Sequence, residues 1–173
     1  MNRYSILAAT ATLLVAGAPS LAAEGPSDAQ IAHIAYTAGT IDIAAAKQAL
    51  RRSHDPMVRA FAEEMIRDHE AVNQKALALV KELGVTPADN PTSAALSKDG
   101  EEALQRLSAL SGRAYDRAYV ANEIAYHGIV NGALKKTLIP SADNAQLKSL
   151  LETGLTLFGE HQKHAEHLAQ RLK

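Results

Sequence analysis

Residues 55–84, DPMVRAFAEEMIRDHEAVNQKALALVKELG, decide the fold. Asp55 is a residue type that caps helix N-termini, Pro56 fits a first helical turn, and Gly84 suits the position just past a helix end. Between them Val58, Ala62, Met65, His69, Val72, Ala76, Leu79 and Leu83 recur at alternating spacings of four and three. That rhythm predicts one helix packed along its whole length in a bundle. One seam position, near the middle, is His69. A polar ring inside an apolar stripe needs a hydrogen-bond partner or a metal.

Upstream, Ser27 or Asp28 can cap a first helix running to about Ser53. Its alanine-rich pattern permits two buried phases. One holds Ala32, Tyr36, Gly39, Ile43, Ala46 and Leu50; the other holds Ile31, Ala35, Ala38, Asp42, Ala45 and Ala49 and turns Asp42 inward. Gly39 and the alanines allow a neighbouring helix to come close. The tight connection over residues 51–55 makes the first two helices antiparallel neighbours.

Downstream, residues 85–97 carry Pro87, Asn90, Pro91 and Thr92 and read as an extended loop. Residues 98–110 predict a short amphipathic helix with Leu104, Leu107 and Leu110 on one side. This connection is long enough to cross the bundle, which would make the second and third long helices parallel, or to fold back. The third long helix should start near Gly112 and end near Leu138, before Pro140. Val120, Ile124, His127, Val130, Leu134 and Leu138 form one stripe; Tyr115, Tyr119 and Tyr126 form another, packed against the connector helix or a second subunit. A fourth helix begins after Ser141 or Asn144, and Leu147, Leu151, Gly154, Phe158, His161, Ala165, Leu168 and Leu172 repeat the seam spacing to the C-terminus. No strand pattern or internal repeat interrupts this reading.

The 173 residues are enough for one domain with a real core. Residues 1–23 read as a cleavable signal peptide: Arg3 is positive, residues 6–18 are apolar, and Ser20-Leu21-Ala22 or Leu21-Ala22-Ala23 gives a cleavage site ending in a small residue. The apolar run is too short to span a bilayer, so a periplasmic or secreted protein of residues 24–173 is expected. The absence of cysteine excludes disulfides, thiolate metal sites and a cysteine nucleophile. Removing residues 1–23 takes away only Arg3 and leaves 17 basic against 19 acidic residues. With no basic run and no tryptophan, a nucleic-acid surface is not expected.

The chemistry rests on one histidine in each of three seams: His69, His127 and His161, with Asp42 on one face of the first helix. Neutral imidazoles and a carboxylate suit iron, zinc, manganese or copper, and bundle interiors house such sites. Counted from the helix ends, Asp42 and His69 differ in depth by about 4.5 Å, and His69 and His127 are level. His161 is offset from His127 by roughly 9 Å, which a late helix start or a kink near Gly154 or Gly159 must remove. The bland alternative is that each ring is satisfied by a carboxylate, carbonyl or water, with Asp68, Asn73 and Glu123 close at hand. A glutamate three residues before a histidine, the di-iron carboxylate pattern, is absent: Ile66 and Phe158 stand there. His164 and His167 read as solvated, His33 and His54 as exposed, Met65 as core packing, and Asp116 with Arg117 as caps or ion pairs. There is no nucleophile elbow and no phosphate loop.

Several of these segments together resemble the domain-of-unknown-function family 4142. They are Ala38, Gly39, Thr40, Ile41 and Asp42; Met65, Ile66, Arg67, Asp68 and His69 with Asn73 and Leu77; LSGRAYDRAY over residues 110–119 with His127 downstream; and Glu160 with His161. The resemblance covers roughly residues 29–172. It implies a bacterial, usually exported protein with a ferritin-like helical fold, and a glutamate where this chain has Asp42. The expected architecture is therefore all-α: a ferritin-like antiparallel four-helix bundle with a short extra helix between its second and third members. The expected function is binding of one transition-metal ion by His69, His127, His161 and Asp42 for sequestration or redox protection. The alternative is an envelope stress or interaction protein, with a protein partner or a second copy of itself, whose core histidines are structural or sense pH.

Overall fold

A computed structural model describes residues 25–172, and the expected signal segment lies outside them. The chain is all-α, with five helices of substantial length: α1 (Asp28–Arg52), α2 (Pro56–Glu82), α3 (Pro91–Ser108), α4 (Gly112–Ala133) and α5 (Ala145–Arg171). Among the described residues there is no strand, and no helix is long and apolar enough to cross a membrane.

The caps are those the sequence offers. Ser27 closes a capping box with Gln30 on α1, Asp55 accepts from the backbone of Met57 and Val58 on α2, and Asn144 caps α5. Gly84 ends α2 at φ 64°, a conformation open to glycine at little cost, and Val85 N–H closes the turn on Val80 O at 2.9 Å. In α1 both phases are buried, including Ala32, Gly39 and Ala46 from one and Ile31, Ala38, Asp42, Ala45 and Ala49 from the other. Gly39 does allow the close approach of α2: a Cβ there would sit 2.4 Å from Asn73 Oδ1.

Two expectations need correction. The connector is not a loop followed by a short helix; α3 begins at Pro91 and runs for 18 residues. Asn90 and Ser93 form a capping box ahead of it, and Pro91 occupies the first turn, so the residues taken for loop punctuation are a helix start. Nor does α4 stop at Leu138. Its regular part ends at Ala133, a π-helical turn covers Leu134–Leu138, and a last turn, Ile139–Ser141, contains Pro140. The widened turn, in which Ile139 N–H reaches Leu134 O, opens the spacing ahead of a proline that has no N–H of its own.

The course of the chain follows from two apolar clusters. One gathers the end of α1 (Ala45, Ala46, Ala49), the start of α2 (Val58, Phe61, Ala62, Met65), the start of α4 (Tyr115, Tyr119, Val120) and the end of α5 (Ala165, Leu168, Leu172). The other gathers Ile31 and Ile34 from the start of α1, Leu134, Leu138 and Ala142 at the end of α4, and Leu147, Leu151 and Phe158 from the start of α5. Thus α2 and α4 run in the same direction, opposite to α1 and α5. Between them α3 returns along α1: Ser93 meets His33 at 2.9 Å, Leu104 O accepts from Gln48, and Leu110 O accepts from Arg52.

Candidate metal centre

Between the two clusters lies a polar layer. Asp42 comes from the middle of α1, His69 from α2, Glu123 and His127 from α4, and His161 from α5; none is more than 3% exposed. The three imidazoles form a nearly equilateral triangle, with ring centroids 5.7 Å (His69–His127), 5.4 Å (His69–His161) and 5.5 Å (His127–His161) apart. Their nitrogens come within 4.8 Å of one another. The depth problem of His161 is solved by a late start. Helix α4 and its extension run on to Ser141, and α5 begins only at Ala145. His161 then lies 16 residues beyond one terminus and His127 lies 14 before the other, a difference of about 3 Å. Helix α5 passes Gly154 and Gly159 without a break.

Hydrogen-bond partners fix which lone pairs are free. His127 Nδ1 donates to its own helix at Glu123 O, 3.0 Å away, which leaves Nε2 unprotonated and without a partner. His161 Nε2 donates to Asp68 Oδ2 at 3.0 Å, leaving a buried Nδ1 without one. Neither nitrogen of His69 has a partner; its ring stacks on Phe158, centroids 4.5 Å apart and planes 10° from parallel. Asp42 Oδ2 lies 3.5 Å from His69 Nε2 and 3.5 Å from His127 Nε2. Tetrahedral coordination with arms of about 2.0–2.1 Å separates ligand atoms by about 3.3–3.4 Å, so these two edges are close to the length a shared cation would set. Of the nearby partners the sequence offers, Asp68 serves His161 and the Glu123 carbonyl serves His127, as the bland alternative expects; Asn73 packs against Gly39, and His69 is left with none.

Electrostatics favour the ligand form of the rings. Burial first, then the neighbouring imidazoles, depresses His69 to about 3. Burial brings His127 down to about 4 against the opposing hydrogen bond to Glu123 O, and lowers His161 against the pull of Asp68. Conversely, burial raises Asp42 to about 7, and burial with the Asp42 charge raises Glu123 well above its usual range. The two carboxyls each offer an oxygen within 4.8 Å of the other, and burial makes both keep a proton more readily than a free carboxyl, so a cation binding there competes with protons.

Glu123 was missed as a candidate, although it precedes His127 by four residues and so shares its helix face. Asp116 is buried, 5% exposed, with Oδ1 unpartnered. Tyr119, one turn before Glu123, also buries an unpartnered hydroxyl. His164 is exposed, as expected, and its Nδ1 donates to Glu64 Oε2 at 2.7 Å, while His33 is half-buried and held by Ser93 and Asp89. On the far side of Phe158 is an apolar cavity of about 140 Å³, lined by Ile34, Val72, Ala76, Leu134, Leu151 and Phe158 among others.

The family model described as "Domain of unknown function (DUF4142)" matches residues 13–168. The chain belongs to the DUF4142 family. No curated protein and no solved structure matches it. All five residues of the polar layer fall within the DUF4142 match. Where the resemblance implies glutamate, the shorter Asp42 still reaches both His69 and His127.

Proposed function

We propose that this DUF4142 chain is an exported, ferritin-like bundle that binds one transition-metal ion at His69, His127, His161 and Asp42, with Glu123 behind the carboxylate, and serves metal sequestration or protection from redox damage. One observation carries the reading: the three imidazoles offer nitrogens within 4.8 Å of one another, Asp42, Glu123 and His127 form a second such group that shares His127, and both Asp42 oxygens and a nitrogen of each ring are buried and unpartnered. Unpaired buried polar atoms each cost about 1–3 kcal/mol, and five or more together make little sense as packing alone. Three nitrogens and one oxygen suit zinc, copper or iron. The closed surroundings support holding an ion over turning over a substrate. Export is supported by Arg3, the apolar residues 6–18 and the small residues that follow. The ferritin-like assignment is supported by the parallel course of α2 and α4 with a long return between them.

The test is calorimetric titration of the purified, untagged, metal-stripped protein with zinc, copper, iron and manganese, paired with thermal unfolding. One equivalent should bind and raise Tm. Single alanine replacements at His69, His127 and His161 should each remove most of the affinity, and double replacements little more, because the ligands act as a unit. A metal-stripped wild type that gains no stability from any of the four ions overturns the reading and leaves the histidines a structural or pH-sensing role.

A further inference from the structure

His161 belongs to two clusters at once. Its Nδ1 is buried without a partner on the side of His69 and His127, while its Nε2 meets Asp68 Oδ2 at 3.0 Å. Asp68 reaches solvent, its side chain 18% exposed, and Glu64, one turn earlier on the same face of α2, is 30% exposed. Glu64, Asp68 and His161 each offer a ligand atom, all within 4.8 Å of one another. Glu64 is held by His164 Nδ1 at 2.7 Å, and Asp68 is clasped by Arg67, Nε to Oδ1 at 2.8 Å and Nη2 to Oδ2 at 3.1 Å. Among the residues of the polar layer, His161 is the one in contact with a solvent-reaching carboxylate.

A sealed centre needs an entry path. Resting on the metal reading above, we infer that Glu64, Asp68 and the outward nitrogen of His161 form an entry station for a divalent transition-metal cation, which His161 then passes inward. A neutral imidazole has one lone pair, so the ring serves one station at a time. At hand-over the cation's bond to Nε2 breaks and its bond to Nδ1 forms. As the cation arrives at Nδ1 that nitrogen gives its proton to water, and Nε2 takes one from solvent by way of Asp68, which then accepts the Nε2–H as it does in this structure, so the ring stays neutral. Arg67 competes for the same carboxylate, and the arriving cation has to displace it. The two carboxylates attract the cation, so they set the rate of uptake more than the final occupancy.

The experiment is stopped-flow uptake of cobalt(II) chloride, followed by its visible absorption, with release measured by chelator competition. The wild type should bind one equivalent. Glu64→Gln should slow both uptake and release by about tenfold or more, while still filling to one equivalent. Arg67→Gln should speed uptake. Glu152→Gln, which removes an equal charge from an exposed position on α5 away from this cluster, should leave the rates where they were. A wild type that takes up no cobalt sinks the metal reading itself. A wild type that fills to one equivalent while Glu64→Gln keeps its rates overturns the entry station and leaves the centre standing.

Discussion

The two halves of the bundle on either side of the polar layer are built to different standards. In the half that contains the α1–α2 turn, Val58, Phe61, Ala62, Met65, Tyr115, Tyr119, Val120 and Ala165 are all 0% exposed. In the half that contains the α4–α5 turn, seam residues Val72 and Leu79 are only partly buried, and Val72 lines the 140 Å³ cavity. The cause is side-chain volume. Ala35, Ala38, Gly39, Ala76, Ala133 and Gly154 all line the cavity, and small residues on several helices at one level leave space that Phe158 alone does not fill. The lesson is asymmetric support. The Phe158 ring stacked on His69 lines that cavity, whereas Met65, one turn before His69 in the other direction, is fully buried.

The sharpest way to break the comparison is truncation on each side. Phe61→Ala should cost about 3–5 kcal/mol, as fully buried aromatics do. Val72→Ala, at the edge of existing space, should cost less than half as much. Urea unfolding of both variants decides it, and equal losses would erase the distinction between the halves.

The next effect is in pH, for the metal-free protein. The histidines have folded values below their unfolded value of 6.5, with His69 at about 3 and His127 at about 4. Their contribution is therefore present above 6.5 and is lost as pH falls toward 4. Asp42 is raised from 3.8 to about 7, so its contribution is present below 3.8 and is lost as pH rises through 7; Glu123, also raised, acts in the same direction. Stability should pass through a maximum near pH 6–7, each unmatched proton contributing a slope of about 1.4 kcal/mol per pH unit. Asp42→Asn should flatten the alkaline limb. A monotonic profile between pH 4 and 8, measured by chemical denaturation, would contradict the assignment of charge in the layer.

Smaller still is the tether on the looser half. Asp28 accepts the backbone N–H groups of Asp143 and Asn144, each at 3.0 Å, tying the start of α1 to the α4–α5 turn. Asp28→Ala should cost about 1–2 kcal/mol and raise hydrogen exchange at that turn while leaving the α1–α2 end protected. The smallest change should be a gain. Ala76→Leu adds apolar volume where the cavity is, for about 1 kcal/mol of added stability by thermal unfolding; a loss would mean that the space is less yielding than its volume suggests.

The helices and most of the centre were legible because seams have a period. The four-three spacing placed His69, His127 and His161 inward, and the second phase of α1 did the same for Asp42. What escaped had no period to read. Asn90 and Pro91 have the same composition in a loop as at a capped helix start, and only the reciprocal hydrogen bonds with Ser93 tell them apart. The π turn before Pro140 is a response to a missing donor, invisible in an apolar pattern. Glu123 was within reach of a face-by-face reading with His127. The cavity depends on small residues from different helices meeting at one level, and no single segment records that.

The polar layer also divides the chain in an uneven way. Asp42 and His69 belong to the hairpin of α1 and α2, and Glu123, His127 and His161 to the pair α4 and α5. Each pair joins sequence neighbours across a short turn, whereas bringing the pairs together closes the much longer loop through α3. Water is stripped from the two carboxyls and the three rings when the pairs meet, so the least favourable desolvation in the molecule falls on its most non-local step. A cation present at that moment would act as a rivet between two preassembled pieces. Its absence would show first as a slower, more reversible docking of the halves, with the helices themselves intact.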